Sequence, residues 1–193
     1  MAEPAKTPMT EEQIRAATIG ELQTHSAPVV LVDYDPEWPR LFDREARRIR
    51  GALGERALLV EHTGSTSVPG LAAKPVIDIV LVVADSGEEE AYVPPLEAAG
   101  YVLRVREPDQ DEHRMFKGRP GTRVHVHVFS RGCAEVDRMV TFRDWLRRNE
   151  ADRDLYARTK RDLAAKKWTF VQNYADAKTA VIEEILARAG QRN

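Results

Sequence analysis

A single cysteine, Cys133, stands in 193 residues, so no intramolecular disulfide forms and no multi-cysteine metal cluster is available. That excludes the disulfide scaffolds of small secreted domains and the cysteine-based zinc fingers, and it fits a reducing cytoplasm. Long apolar runs are missing too. No stretch approaches the roughly 18–20 residues of a membrane span, and the N-terminal MAEPAKTPMTEEQ lacks the apolar core of a secretory signal. A soluble, cytoplasmic protein with no membrane partner is expected. Excess charge of either sign is the third absence: 29 Lys and Arg stand against 31 Asp and Glu, a net charge of −2. No general field therefore draws nucleic acid or an anionic membrane, and the expected partner is a small molecule or nucleotide. What is present, 42% hydrophobic and 31% charged residues, suffices for one packed globular domain.

Residues 1–10 carry Pro, Thr and Ala without periodicity and read as a disordered leader. Thr10 followed by Gln13 has the form of a capping box, and Ile14, Ala17 and Leu22 give a narrow apolar stripe. The spacing predicts a peripheral helix over about 11–24, in a segment 11–28 outside the main domain, which spans 29–190. Within that domain the β-branched run Val29–Tyr34 reads as a strand stopped by Asp35-Pro36. Leu41, Phe42, Ala46, Ile49 and Leu53 recur at helical spacing, predicting a helix over 38–53.

Strands are predicted over 57–62 and 75–84. The second is apolar on both faces except at Asp78, as in a central strand covered on both sides. A helix near Pro94-Pro95 ends at Gly100. Strands at 101–106, 113–117 and 122–129 follow as antiparallel neighbours, and three helices close the chain, the last over 171–189. The fold class is α/β (α+β), a mixed central sheet flanked by helices with a C-terminal helical segment.

Chemistry concentrates between residues 60 and 79. A strand ends in Thr63-Gly64-Ser65-Thr66, where Gly64 permits close backbone approach and the Ser65 and Thr66 hydroxyls, with free N–H groups, can hold phosphate oxygens. The same residues would also make an ordinary capped turn. Asp78, on the next strand, is costly to bury unless paired, hydrogen-bonded or bound to a metal. A salt bridge to Lys74 or to a C-terminal arginine is the structural alternative. In Arg123-Val124-His125-Val126-His127-Val128 the two histidines share one strand face, which suits a metal or phosphate and equally an exposed sheet face. His113-Arg114 could extend that polar face. Among the C-terminal cations, Arg143, Arg147, Lys160 and Lys178 are the candidates for phosphate contact.

The block EHTGSTSVPGLAAKPVIDIV, with the later RVHVHVF, FRDWLRRN and YADAKTAVIEEIL, resembles the GrpB-like family, whose fold is similar to the nucleotidyltransferase superfamily. The resemblance spans about 29–187. It implies a sheet of nucleotidyltransferase type, with nucleotide phosphates on Gly64 and Ser65 and a carboxylate-held Mg²⁺ promoting attack of an acceptor on the α-phosphate. Asp78 matches the first carboxylate of the superfamily's Asp-hydrophobic-Asp pair. Val80 stands in the place of the second, and His125 and His127 lie on the strand expected to carry a third.

Two-metal catalysis needs several carboxylates. One Asp and two His, with Glu61 or His62 completing the shell, point instead to one Zn²⁺, Mn²⁺ or similar ion rather than Mg²⁺. The expected site is therefore Asp78, His125 and His127 as catalytic and metal-binding residues, Glu61 as a further ligand, and Gly64, Ser65, Thr66, Lys74, Arg143 and Lys160 around an NTP. The acceptor would be a small molecule or a protein side chain.

Two other readings stay open. One is a non-catalytic nucleotide- or metabolite-binding module that assists a partner enzyme of coenzyme A metabolism, since the resemblance includes fusions to dephospho-coenzyme A kinase. The other is metal-assisted hydrolysis or ligation on the same polar face.

Overall fold

A computed structural model describes residues 8–22 and 29–191. The leader assigned to 1–10 lies mostly outside the described residues, as do positions 23–28. Helix α1, Glu11–Ala17, begins with the expected capping box between Thr10 and Gln13. It is shorter than predicted and docks on an edge strand, where Ile19 N–H donates to Arg104 O at 2.8 Å. The remaining elements are α2 (Trp38–Leu53), β1 (Leu59–Thr63), β2 (Ile77–Val83), α3 (Val93–Ala98), β3 (Val102–Glu107), β4 (His113–Lys117) and β5 (Val124–Ser130). Four helices follow: α4 (Ala134–Arg148), α5 (Glu150–Ala164), α6 (Val171–Asp176) and α7 (Thr179–Gly190).

The five strands form one mixed sheet in the order β1-β2-β5-β4-β3. Only the central pair, β2 and β5, is parallel. On one face Ile77, Ile79, Leu81, Val124, Val126 and Val128 meet Trp38, Ala46, Ile49 and Leu53 of α2 and Leu96 of α3 in the main core. The alternation read from 75–84 thus assigns faces correctly. On the opposite face Val80, Val82 and Phe129 are covered by Val136 and Met139 of α4. The stretch of that face holding Asp78, His125 and His127 opens instead onto a cavity. The remaining C-terminal helices pack around the Gly-Ser turn, with Val68 and Leu71 buried against Leu146, Tyr156, Val181 and Ile185.

Two expected elements differ. Val29–Tyr34 does not form a strand. Val32 exchanges one pair of backbone hydrogen bonds with Ala73, and the pairing cannot extend past Lys74 because Pro75 has no N–H. The last helix is broken in two after Asp176, and Lys178 N–H turns to Ala175 O at 3.2 Å. No glycine or proline marks the break; the Lys178 ammonium sits over the Tyr174 ring, 4.9 Å from its centroid. Four helices rather than three therefore close the chain. Among the described residues, no helix is long and apolar enough to cross a membrane.

Candidate functional site

The strand register builds the site. Asp78 pairs with His125, and Val80 with His127, across the parallel β2/β5 ladder. Because alternate residues share a face, both histidines stand beside the carboxylate. His125 Nδ1 lies 3.4 Å and His127 Nε2 3.8 Å from Asp78 Oδ1. Burial alone would push the Asp78 carboxyl up, but His125 and His127, when they carry a proton toward it, outweigh burial and hold the group below the ordinary carboxylate range.

The three donor atoms lie within 4.8 Å of one another. A tetrahedral ion with ligands at about 2.0–2.2 Å spaces neighbouring donors by roughly 3.3–3.5 Å, so this set fits one cation with little closure. Two imidazoles and one carboxylate suit Zn²⁺, Mn²⁺ or Fe²⁺ better than Mg²⁺.

Gly64 is part of the same construction. Its backbone sits at φ +67 and ψ −175, and a Cβ there would lie 2.4 Å from Asp78 Oδ2. Only glycine lets the turn approach the carboxylate so closely. The next three residues, Ser65–Ser67, make one 3₁₀ turn. Ser67 donates to Gly64 O at 2.6 Å, and Thr66 donates to Val76 O at 3.0 Å.

With the Thr66 proton committed, His62 Nε2–H donates to Thr66 Oγ1 at 3.1 Å. His62 is stacked on Phe42 at 4.9 Å between centroids, and its burial lowers its pKa to about 4. Thr66 and His62 thus help build the turn, the Thr66 proton and the His62 Nε2–H being committed within it.

Gly64, Ser65, Thr66, Lys74, Asp78, His125, His127 and Lys160 all line one cavity of about 640 Å³. Facing the carboxylate–imidazole set are cations. Lys160 Nζ donates to Ser65 Oγ at 2.9 Å and to Ala72 O at 2.5 Å. Burial lowers its pKa to about 7, with Lys178 and Arg161 adding repulsion. Lys74 and Lys178 are lowered as well, in each case chiefly by burial, and Lys178 also repels Lys74. None of the three makes an ion pair among the described residues. Tyr174 also lines the cavity, and its buried hydroxyl has no hydrogen-bond partner among the described residues. Ile14, Ala17 and Leu22 of the α1 segment and Phe170 supply an apolar wall, so the N-terminal helix is a wall of the site as well as a peripheral element.

Two expected contacts go elsewhere. Arg143 donates to Glu61 Oε2 at 2.5 Å, to His62 O at 3.0 Å and to Asp144 Oδ1 at 2.7 Å. These bonds stay inside the protein, although Arg143 also lines a small cavity with Gly64 and Ser65, and Glu61 is drawn to Arg143 and away from the three-donor cluster around Asp78. Arg147 likewise holds Ser67 O, at 3.0 and 2.8 Å. These two arginines brace the Gly-Ser turn from behind and line a second cavity with His62, Phe42 and Tyr34.

The sequence placed His113 on this polar face but gave no sign of Glu107. Glu107 pairs with His113 across β3/β4, and His113 reaches His127, a link visible only once the register is known.

Residues 28–188 match the sequence family described as GrpB protein. The chain belongs to the GrpB family. A Halalkalibacterium halodurans relative named UPF0157 protein BH1888 is 61% identical over 183 residues, covering 95% of this chain and 93% of that protein. The crystal structure of conserved protein GrpB from Enterococcus faecalis superposes with a TM-score of 0.74 at 33% identity, covering 84% of this chain and 98% of that one. A Mycolicibacterium paratuberculosis relative named Dephospho-CoA kinase is 31% identical over 199 residues; the match takes in 90% of this chain and 49% of that longer protein. A GrpB-family segment therefore occurs both as a chain of this size and as about half of a larger protein.

Proposed function

We propose that this GrpB-family protein is an enzyme of nucleotidyltransferase type. It takes one divalent metal on Asp78, His125 and His127 and an NTP on the Gly64–Ser65 turn, and transfers the nucleotidyl group to a small molecule or a protein side chain. The observation that carries the reading is that one cavity is lined both by a carboxylate–imidazole donor set and by three lysines that make no ion pair among the described residues. Such lysines are costly to bury without an anion, and a polyphosphate supplies one. The metal, when bound, would act as a Lewis acid on a phosphoryl oxygen.

With Val80 in place of a second carboxylate, Asp78, His125 and His127 form the one three-donor cluster found among the described residues. Lys160, Lys178 and Lys74 are placed to meet the charge that a second ion neutralises elsewhere. In the transfer an acceptor hydroxyl oxygen bonds to the α-phosphorus and releases its proton to water, the bond from that phosphorus to the bridging oxygen breaks, and pyrophosphate leaves toward the lysines.

Titration calorimetry with ATP, GTP, CTP and UTP in the presence of Mn²⁺ or Zn²⁺ tests the first step, and pyrophosphate release tests the second. Asp78→Asn is expected to abolish metal-dependent turnover. Failure of all four nucleotides to bind contradicts the proposal.

The length of the relatives named Dephospho-CoA kinase favours a second reading, in which the domain assists that enzyme without catalysis of its own. Specific binding to the kinase of the same organism, with a changed kinase rate and no effect of Asp78→Asn, would select it.

A further inference from the structure

We propose that Glu107 and His113 are positioning residues for the metal centre, a two-residue relay that fixes the tautomer and orientation of His127. The inference rests on the reading of Asp78, His125 and His127 as metal ligands. His113 Nδ1 lies 2.6 Å from Glu107 Oε2, and His113 Nε2 lies 3.0 Å from His127 Nδ1. The rings of His113 and His127 stack at 5.2 Å with 14° between their planes. The other face of this arrangement is closed by Phe129, stacked on His113 at 4.9 Å. Side-chain exposures of 15% for His113 and 14% for Glu107 show that the relay is largely withdrawn from solvent.

Proton accounting gives the relay a direction. A carboxylate only accepts, so the proton of neutral His113 resides on Nδ1 and points at Glu107. His113 Nε2 is then a lone pair, and it can only be met by Nδ1–H of His127. That leaves His127 Nε2 as a lone pair on the side of Asp78 Oδ1, 3.8 Å away. Two lone pairs at that distance do not hydrogen-bond to each other, and their separation is close to that of two donors on one cation. A carboxylate behind a ligating histidine also raises the basicity of its imidazole and locks its ring.

The relay comes from β3 and β4, whereas the ligands come from β2 and β5. Glu107 and His113 are cross-strand partners, and Met115 on β4 is opposite His127 on β5. His113, two residues before Met115, therefore shares its face and reaches His127 diagonally. The sheet itself thus supplies the second shell, with no loop involved.

The test uses the full chain stripped with chelator, Zn²⁺ titrated in competition with a chromophoric chelator, and Co²⁺ absorption as a signature of ligation. Variants are His113→Phe, which keeps a stacking ring but removes both nitrogens, Glu107→Leu, and Glu107→Gln, whose amide oxygen can still accept from Nδ1–H. His113→Phe and Glu107→Leu are expected to weaken Zn²⁺ by about 10–100-fold and to alter the Co²⁺ spectrum, with Glu107→Gln recovering part of the loss.

Wild-type affinity matched within about twofold by folded His113→Phe and Glu107→Leu overturns the relay while leaving the metal reading intact. Absence of binding by the wild type overturns the metal reading, and the tautomer then decides the relay independently. Long-range ¹H–¹⁵N spectra of the metal-free protein near pH 8, where an ordinary imidazole is neutral, are expected to show His127 protonated on Nδ1 and bare on Nε2. The opposite tautomer overturns the relay.

Discussion

Replacing Gly64 by alanine tests the closest contact in the site. At φ +67 and ψ −175 the residue occupies backbone space that is essentially reserved for glycine, and forcing another residue there costs about 1–3 kcal/mol. The added methyl would sit 2.4 Å from Asp78 Oδ2, 3.0 Å from its Cβ and 3.1 Å from its Cγ. Ordinary contact begins at 3.4 Å, so the carboxylate must retreat by about 1 Å, several times the roughly 0.2 Å tolerance of metal–ligand distances. A loss of at least tenfold in metal affinity, about 1.4 kcal/mol, is expected on top of the folding cost.

Gly70→Ala is the control, because Gly70 also has positive φ, +78, but nothing lies within 4 Å of its added carbon. Urea unfolding and metal titration of the two variants side by side separate backbone strain from displacement of Asp78. If Gly64→Ala keeps wild-type metal affinity within about twofold, the argument from the close approach is wrong.

The buried cations and imidazole give pH-dependent predictions. Lys160 has its pKa lowered from 10.5 to about 7. Below pH 7 the folded state therefore bears the full cost of a buried ammonium, and stability should rise by up to about 1.4 kcal/mol per pH unit between pH 7 and 10. Lys160→Met should lessen that slope in urea titrations, leaving the part that the lowered Lys74 and Lys178 contribute, and weaken phosphate or NTP binding.

His62, lowered to about 4, stays neutral in the fold while the unfolded chain takes up a proton near 6.5. Stability should thus fall as pH drops from about 6.5 toward 4, and in His62→Gln that fall should be lessened. Tyr101 donates to the buried Glu45 Oε2 at 2.7 Å. Tyr101→Phe removes that donor and is expected to cost about 1–3 kcal/mol in denaturant unfolding with little change in metal affinity.

Helix α2 was fully legible in the sequence, because Leu41, Ala46, Ile49 and Leu53 form an unbroken stripe, and β2 because Ile77–Val83 is apolar on both faces. Val29–Tyr34 has equal β propensity yet stays unpaired except at Val32, since ladder formation depends on the partner, which Pro75 cuts short. The turn and its neighbouring carboxylate could be read from Gly64, Ser65 and Asp78. What could not be read was register. Glu61 and Arg143 carried the same apparent promise as Asp78 and Lys160, but the fold joins them to each other behind the turn. His113 and Glu107 gained their meaning only from the β3/β4 and β4/β5 pairings. The break between Asp176 and Thr179 was not legible either, since local sequence does not announce it.

The most direct test of the account is an equilibrium titration of the chelator-stripped protein with Zn²⁺ and with Co²⁺, read by competition and by the Co²⁺ spectrum, alongside Asp78→Asn, His125→Gln and His127→Gln. One ion per chain with nitrogen–oxygen ligation, lost or strongly weakened in each variant, is the predicted result. Binding that is absent, or that survives all three substitutions unchanged, contradicts a metal centre on Asp78, His125 and His127.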